Sequence, residues 1–218
     1  MIVTIDGPAG TGKSTVARRL AERLGFEFLN TGAMYRAVAL VCLERRVPVS
    51  DETAVAGVPA SVRMTFRQNR LWLDGRDVSD AIRTSSVTEA ASLVASHPQV
   101  RAQLVALQRQ CADGVNLVTE GRDQGTVVFP RAECKIFLTA SPEERARRRQ
   151  QELLAQGQAA SFEAILADQR LRDERDETRS CAPLRPADEA AVVDTSGRSI
   201  DDVVNQLERL VRERMMPG

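Results

Sequence analysis

The stretch Gly7-Pro8-Ala9-Gly10-Thr11-Gly12-Lys13-Ser14-Thr15 stands directly behind the apolar run Ile2-Val3-Thr4-Ile5 and ahead of an amphipathic segment, Ser14 to Leu24. It fits G-x-x-x-x-G-K-[ST], the phosphate-binding P-loop that joins a strand to a helix. Its glycines let the backbone wrap a polyphosphate and turn successive amide N–H groups inward, where a Cβ would obstruct. The helix that begins near Lys13 adds the positive end of its dipole. We expect Lys13 to reach β- and γ-phosphates and the Ser14 hydroxyl to be a ligand of a phosphate-bound Mg²⁺, with Gly7 to Thr15 cradling the triphosphate. The plainer reading is a glycine-rich connector; the strand before the loop and the helix after it argue against that.

Outward from the loop, the composition is that of one ordinary globular chain. Its 218 residues suffice for one substantial core, 43% are hydrophobic, and the formal net charge is zero. No bulk attraction to nucleic acid or membrane follows. Of the 30 basic residues only Lys13 and Lys135 are lysine. Arginine suits bidentate phosphate contacts, although a compositional bias explains most of the excess. Cys42, Cys111, Cys134 and Cys181 form no C-x-x-C pair, and the lone His97 completes no zinc set, so free thiols in a reducing cytoplasm are expected. Strand and P-loop follow Met1 at once, so no signal peptide is expected, and no apolar run is long enough to span a membrane.

Periodicity then places alternating strands and helices. Val16, Ala17, Leu20, Ala21 and Leu24 mark one buried helix face, and Gly25 ends it. Phe26–Leu29 reads as a strand, followed by a helix to about Arg45 with Thr31 as its cap. A short helix is expected over Glu52–Ala56. Val62–Phe66 and Leu71–Leu73 alternate as strands around a turn at Gln68-Asn69-Arg70, with a further short strand at Asp77-Val78, a β-rich insert in an otherwise α/β chain. Helices are expected over Thr84–Ala95 and Val100–Ala112, and strands over Val115–Thr119, Cys134–Thr139 and Ala191–Val193. Ser141-Pro142-Glu143-Glu144 opens another helix, Gln156-Gly157-Gln158 breaks it, and Ser161 and Ser199 cap the last two. The pattern predicts a mostly parallel sheet with helices on both faces, whose ligands gather at the carboxyl ends of the strands.

Among P-loop proteins, a regulatory GTPase needs an [NT]-K-x-D motif, which Lys135 in Cys134-Lys135-Ile136-Phe137 does not supply. Motors and helicases end a later strand in D-E or D-D, whereas the strand here runs into Glu120-Gly121-Arg122-Asp123. A compact kinase remains. Phosphoryl transfer asks for positioning and charge stabilisation, so arginines must converge from several elements. Arg36, Arg122, Arg149, Arg172, Arg175 and Arg179 are the candidates; Arg148 and Arg170 read as solvated surface charges.

With these residues in view, the chain resembles the bacterial cytidylate (CMP/dCMP) kinases of the nucleoside monophosphate kinase superfamily. The resemblance runs nearly end to end, through Thr4-Ile5-Asp6-Gly7-Pro8, Thr31-Gly32-Ala33-Met34-Tyr35-Arg36, Ile82-Arg83-Thr84, Glu120 to Pro130, Lys135 to Leu138, Arg172-Asp173 and Arg179 to Leu184. It implies an ATP- and Mg²⁺-dependent transfer to CMP or dCMP by a cytoplasmic monomer that binds neither nucleic acid polymer nor membrane. It implies a P-loop core over residues 1–40, 104–148 and 166–218, a β-rich monophosphate-binding insert over about 41–103, and a short helical lid over about 149–165. Thr31, Arg36 and Arg122 would hold the CMP phosphate. Asp123, Ser92 and Arg101 would read the cytosine edge, where a carboxylate can accept from the N4 amino group. Arg172, Asp176 and Arg179 would bind phosphate, ribose and base, and Lys13, Arg122 and Arg172 would stabilise the moving charge.

Two positions depart from the family pattern. Asn30 replaces the usual Asp before Ser/Thr, and Glu120 replaces an Asp, keeping a carboxylate one methylene longer. Trp72 is expected to pack and His97 to end a helix. A kinase with another acceptor, or a nucleotide-binding module without turnover, are the alternatives. Oligomeric state, CMP against dCMP and ATP against GTP are not readable from the residues.

Overall fold

The apolar run ahead of the loop forms β1 (Ile2–Asp6), buried from Val3 onward on both of its sides, as a central strand must be. The computed structural model describes residues 1–67, 70–155 and 157–215. After β1 come α1 (Lys13–Leu24), β2 (Glu27–Asn30), α2 (Thr31–Glu44), α3 (Glu52–Ala56), β3 (Met64–Arg67), β4 (Arg70–Leu73) and β5 (Arg76–Asp77). Then follow α4 (Ser85–Val94), α5 (Pro98–Gln110), β6 (Leu117–Gly121), β7 (Cys134–Thr139), α6 (Pro142–Ala155), α7 (Phe162–Thr178), β8 (Ala191–Asp194) and α8 (Ile200–Met215). No described helix is long and apolar enough to cross a membrane. The four cysteines are free thiols.

The chain divides into two compact units, residues 1–29 with 114–218, and residues 30–113. In the first, one sheet has the order β2-β6-β1-β7-β8. β1 runs parallel to β6 and to β7, and β7 to β8, the α/β arrangement expected of alternating strands and helices. The register places Asp6 opposite both Gly121 and Phe137, so the residues that follow β1 and β6 emerge side by side while β7 runs two residues further. Val3, Ile5, Val16, Leu20, Ile136, Leu138, Val204 and Leu207 make the core between the sheet and α1 and α8. Each such side chain contributes about 1.5–3 kcal/mol by leaving water. A separate cluster, Ala146, Leu153 and Ile165 with Phe162 and Leu166 against it, joins α6 to α7.

In the second unit α2 is almost wholly apolar, with ten of its residues buried from Thr31 to Cys42. β3, β4 and β5 form an antiparallel three-stranded sheet, with Met64 opposite Leu73 and Trp72 opposite Asp77. The turn expected at Gln68-Asn69 lies outside the described residues, as does Gln156 of the expected breaker. His97 stands just before α5, and its Nε2 lies 2.8 Å from the Val49 carbonyl, a helix-end contact.

Local chemistry explains most helix starts. Asp51, Thr84 and Ser161 accept from Ala54, Val87 and Ala164 amides, and Ser141 and Ser199 accept from Glu144 and Asp202. Most strands and α5 are offset from expectation by one or two residues, β2 covering Glu27–Asn30, β3 Met64–Arg67, β4 Arg70–Leu73, β5 Arg76–Asp77 and α5 Pro98–Gln110, and two of the differences have a plain local cause. Asn30, not Thr31, caps α2, accepting from the Ala33 amide at 2.9 Å, because the helix begins at Thr31 itself. β6 covers Leu117–Gly121 rather than Val115–Thr119, since pairing with β1 extends through Glu120 and Gly121 while Val115 is 39% exposed.

Candidate active site

The P-loop is built by one strand end and one helix start. Gly7 leaves β1 with φ +144°, and a Cβ there would lie 2.0 Å from the Leu138 carbonyl oxygen, so only glycine lets the chain turn so close to β7. Gly10 and Gly12 also have positive φ, at 80° and 86°. Gly12 caps α1 with its carbonyl, which accepts from the Val16 amide at 3.0 Å. Lys13 is 5% exposed; its Nζ donates to Pro8 O at 2.5 Å and lies 3.4 Å from Thr11 Oγ1. Thr11 Oγ1 also donates to Pro8 O. Burial and the nearby Arg122 cation push the Lys13 ammonium down to about 7, against the pull of Glu120, Asp6 and Asp176.

At the end of β6, Glu120 accepts a hydrogen bond of 2.7 Å from Ser14 Oγ. The pair presents a hydroxyl and a carboxylate oxygen beside Lys13, the hard donor chemistry that Mg²⁺ takes. Among the described residues no group of three or more His, Cys, Asp or Glu could hold a metal. Two protein oxygens nonetheless fit Mg²⁺, which keeps several waters and binds phosphate oxygens for the rest.

Arg122 and Asp176 come together from the β6 end and α7, with Nε donating to Oδ2 at 2.8 Å. Burial works against the Asp176 charge, but Arg122, then Arg179 and Arg172, outweigh it and hold the carboxyl below its usual range. Three arginines therefore surround one acid. Arg179 Nε donates to Ala182 O at 2.5 Å, and the Leu184 amide to Asp176 O at 2.7 Å, folding the chain back after α7 through Ala182 at φ 53°. Arg175 is exposed, and Arg149 pairs with Glu152 at the surface. Asp123 is 3% exposed in the turn that follows Arg122.

In the second unit Thr31 is 2% exposed at the start of α2, and the Arg36 guanidinium folds back over Gly32, 3.4 Å from where a Cβ would stand. Arg101, 3% exposed, lies over the Tyr35 ring at 5.8 Å and donates toward Ala95 O at 3.4 Å. Ser92 is half-buried on α4.

Four residues carry more structure than their sequence positions suggested. Asp6 accepts from both the Gln124 and Gly125 amides at 2.8 Å, tying the end of β1 to the turn behind Arg122 and Asp123. Burial pushes its carboxyl up to about 7 against those two donors. Arg148 corrects an expectation: rather than a solvated charge it donates to Thr195 O at 2.6 Å and Thr195 Oγ1 at 3.1 Å. Arg145 and Asp173 pair at 2.7 Å below the P-loop. Arg170, by contrast, is a surface charge paired with Glu143. A helical spacing of basic residues was the one available signal for Arg145 and Arg148, and Arg147 shares it.

A family model described as cytidylate kinase matches residues 3–213. Cytidylate kinase of Rhodopirellula baltica is 50% identical, over 98% of this chain and 93% of its own length. That of Rhodococcus opacus is 49% identical, over 100% of this chain and 97% of its own length. Among solved structures, an uncharacterized protein from Eubacterium ventriosum superposes with a TM-score of 0.54 at 10% identity, covering 97% of this chain and 98% of that one. Shikimate kinase from Bacteroides thetaiotaomicron superposes with a TM-score of 0.50 at 13% identity, covering 97% and 98%. These two likenesses concern the fold alone.

Proposed function

Since the chain belongs to the cytidylate kinase family, we infer that it transfers the γ-phosphoryl group of ATP to CMP or dCMP, giving ADP and CDP or dCDP. The observation that carries the reading from geometry is the side-by-side emergence of P-loop and Glu120–Asp123 turn, which sets Lys13, Ser14, Glu120 and Arg122 in one charged cluster.

Within that reading the P-loop amides from Gly7 to Thr15 wrap the ATP phosphates. Lys13 would exchange the neutral Pro8 carbonyl for a charged phosphate oxygen, a stronger acceptor for an ammonium. Ser14 and Glu120 would hold Mg²⁺, which supplies charge neutralisation on the phosphates when bound. From the first unit, Arg122, Arg172 and Arg179 are assigned to phosphate and Asp176 to orienting them and the ribose; Asp123 is assigned to the cytosine N4 amino group. From the second, Thr31 and Arg36 are assigned to the acceptor phosphate, and Ser92 and Arg101 to the base. One acceptor phosphate oxygen bonds to the γ-phosphorus while the bridge to the β-phosphate breaks, its electron pair leaving with ADP. Lys13, Arg122 and Arg172 stabilise the charge spread over the moving group, and no general base is needed in this scheme. A lid over about 149–165 would close on the substrates and exclude water. A cytoplasmic setting and a monomeric state are the ones we assign.

Steady-state ADP release against CMP, dCMP, UMP, AMP and GMP tests the reading. CMP or dCMP should give the highest kcat/KM. A preference for AMP or UMP would remove the base assignment, and Asp123→Ala should lower kcat/KM for CMP by about 100-fold or more while leaving ATP binding near wild type.

A further inference from the structure

The P-loop is braced from outside by α6 and α7. Arg145, 3% exposed, spreads its guanidinium three ways: Nε donates to Ala140 O at 3.1 Å, Nη1 to Ala9 O at 3.1 Å, and Nη2 meets Asp173 Oδ2 at 2.7 Å. The Arg145 carbonyl in turn accepts from Gln169 Nε2 at 3.2 Å, one turn before Asp173 on α7. Gly10 rests against the same arginine, since a Cβ there would lie 3.0 Å from Arg145 Cβ. One turn along α6, Arg148 holds Thr195, whose hydroxyl lies 3.2 Å from Thr11 O.

These bonds act on the loop through peptide geometry. A peptide unit is planar and trans, so its C=O and N–H point in opposite directions. Drawing the Ala9 carbonyl outward turns the Gly10 N–H inward, and drawing the Thr11 carbonyl outward does the same for Gly12. Inward amides are what a phosphate requires of the loop. An open cleft of about 390 Å³ adjoins Pro8, Arg145 and Asp173. On α7 the acid of the pair lies between Arg172 and Asp176, three residues before the partner of Arg122.

We propose that Arg145 and Asp173 are a positioning pair, which sets the inward amides of the P-loop and the phosphate-facing residues of α7 in one register. The proposal rests on reading the loop as the cradle of the donor phosphates. Neither member touches a reacting atom: Arg145 acts through the Ala9 carbonyl, and Asp173 by fixing the Arg145 fork. Lysine has the charge but not the planar fork, and cannot serve three acceptors in these directions.

Asp173→Asn keeps the shape and removes the charge, and Arg145→Lys keeps the charge and removes the fork. We would measure kcat and KM for ATP and CMP for both, for the double variant, and for the wild type, beside thermal unfolding of the ligand-free proteins. Each single variant should lose about 10- to 100-fold in kcat, the cost of misplacing reacting groups by roughly an ångström. The double variant should lose no more than the worse single one, and unfolding midpoints should stay within a few degrees of wild type. A wild type inactive with every acceptor would sink the kinase reading and the pair with it. An active wild type beside single variants within about two-fold in kcat and in KM for ATP, or losses that multiply in the double variant, would overturn the pair alone. If Asp173→Asn does not fold, a folded Arg145→Lys with wild-type kcat is enough to overturn it.

Discussion

Asp6 is pulled in two directions. Two amides at 2.8 Å favour its anion, while complete burial and Asp123 favour the neutral acid, and burial carries its carboxyl up to about 7 from 3.8. Between about pH 4 and about pH 7 the folded chain therefore binds a proton on Asp6 that the unfolded chain has released. Stability from this group is fully present below about pH 4 and is lost as pH rises through about 7. Urea unfolding of wild type and Asp6→Asn across pH 4 to 8 should show their stability difference falling with pH and levelling above about 7; a flat difference would show that Asp6 does not titrate there. Gly7 gives a sharper case. Gly7→Ala sets a Cβ 2.0 Å from the Leu138 carbonyl oxygen at φ +144°, so β7 must move, and denaturant unfolding should register a loss of about 3 kcal/mol or more. Lys13, Ser14 and the glycines were legible from sequence because a local motif fixes them. Arg145 and Arg148 were not, because Arg147 looks the same along the chain. What separates them is Ala9 and Thr195, 136 and 47 residues away.

At the scale of elements, helix starts were read well, since a cap is a contact across three residues. Strand limits were read less well, because the end of β6 is decided by β1, which sequence periodicity does not see. The α6–α7 pair illustrates both. Ser161 announces α7, but the small cluster of Ala146, Leu153 and Ile165 that binds the helices together stands apart from the main core. Leu153→Ala should cost about 2–3 kcal/mol locally. Because the cluster is separate, hydrogen exchange should rise along α6 and α7 while amides of β1, β6 and β7 keep their protection. Equal loss of protection in the sheet would mean that the hairpin is not a distinct unit of stability.

For the molecule as a whole, ligands that bind only the folded chain must raise its stability, by roughly 2.7 kcal/mol at a hundred times their Kd. ATP should raise the unfolding midpoint alone, and CMP should raise it further, whereas UMP at the same concentration should add little; an equal response to UMP would remove Asp123 as the reader of the base. The alternation of strands and helices made the α/β class legible, and the turn-rich stretch after Ala60 marked the antiparallel sheet. The division of the chain at residues 30 and 113 has a further consequence, in the order of synthesis. β1 is the middle strand of its sheet, yet both of its neighbours, β6 and β7, are encoded beyond the whole second unit. At roughly 5–20 residues per second, the P-loop strand waits on the order of ten seconds for partners. Residues 30–113 are contiguous and meet no such delay. A nascent chain that has emerged from the ribosome through Asp113 should therefore carry a second unit free to fold, attached to a phosphate loop that still has no sheet to stand on.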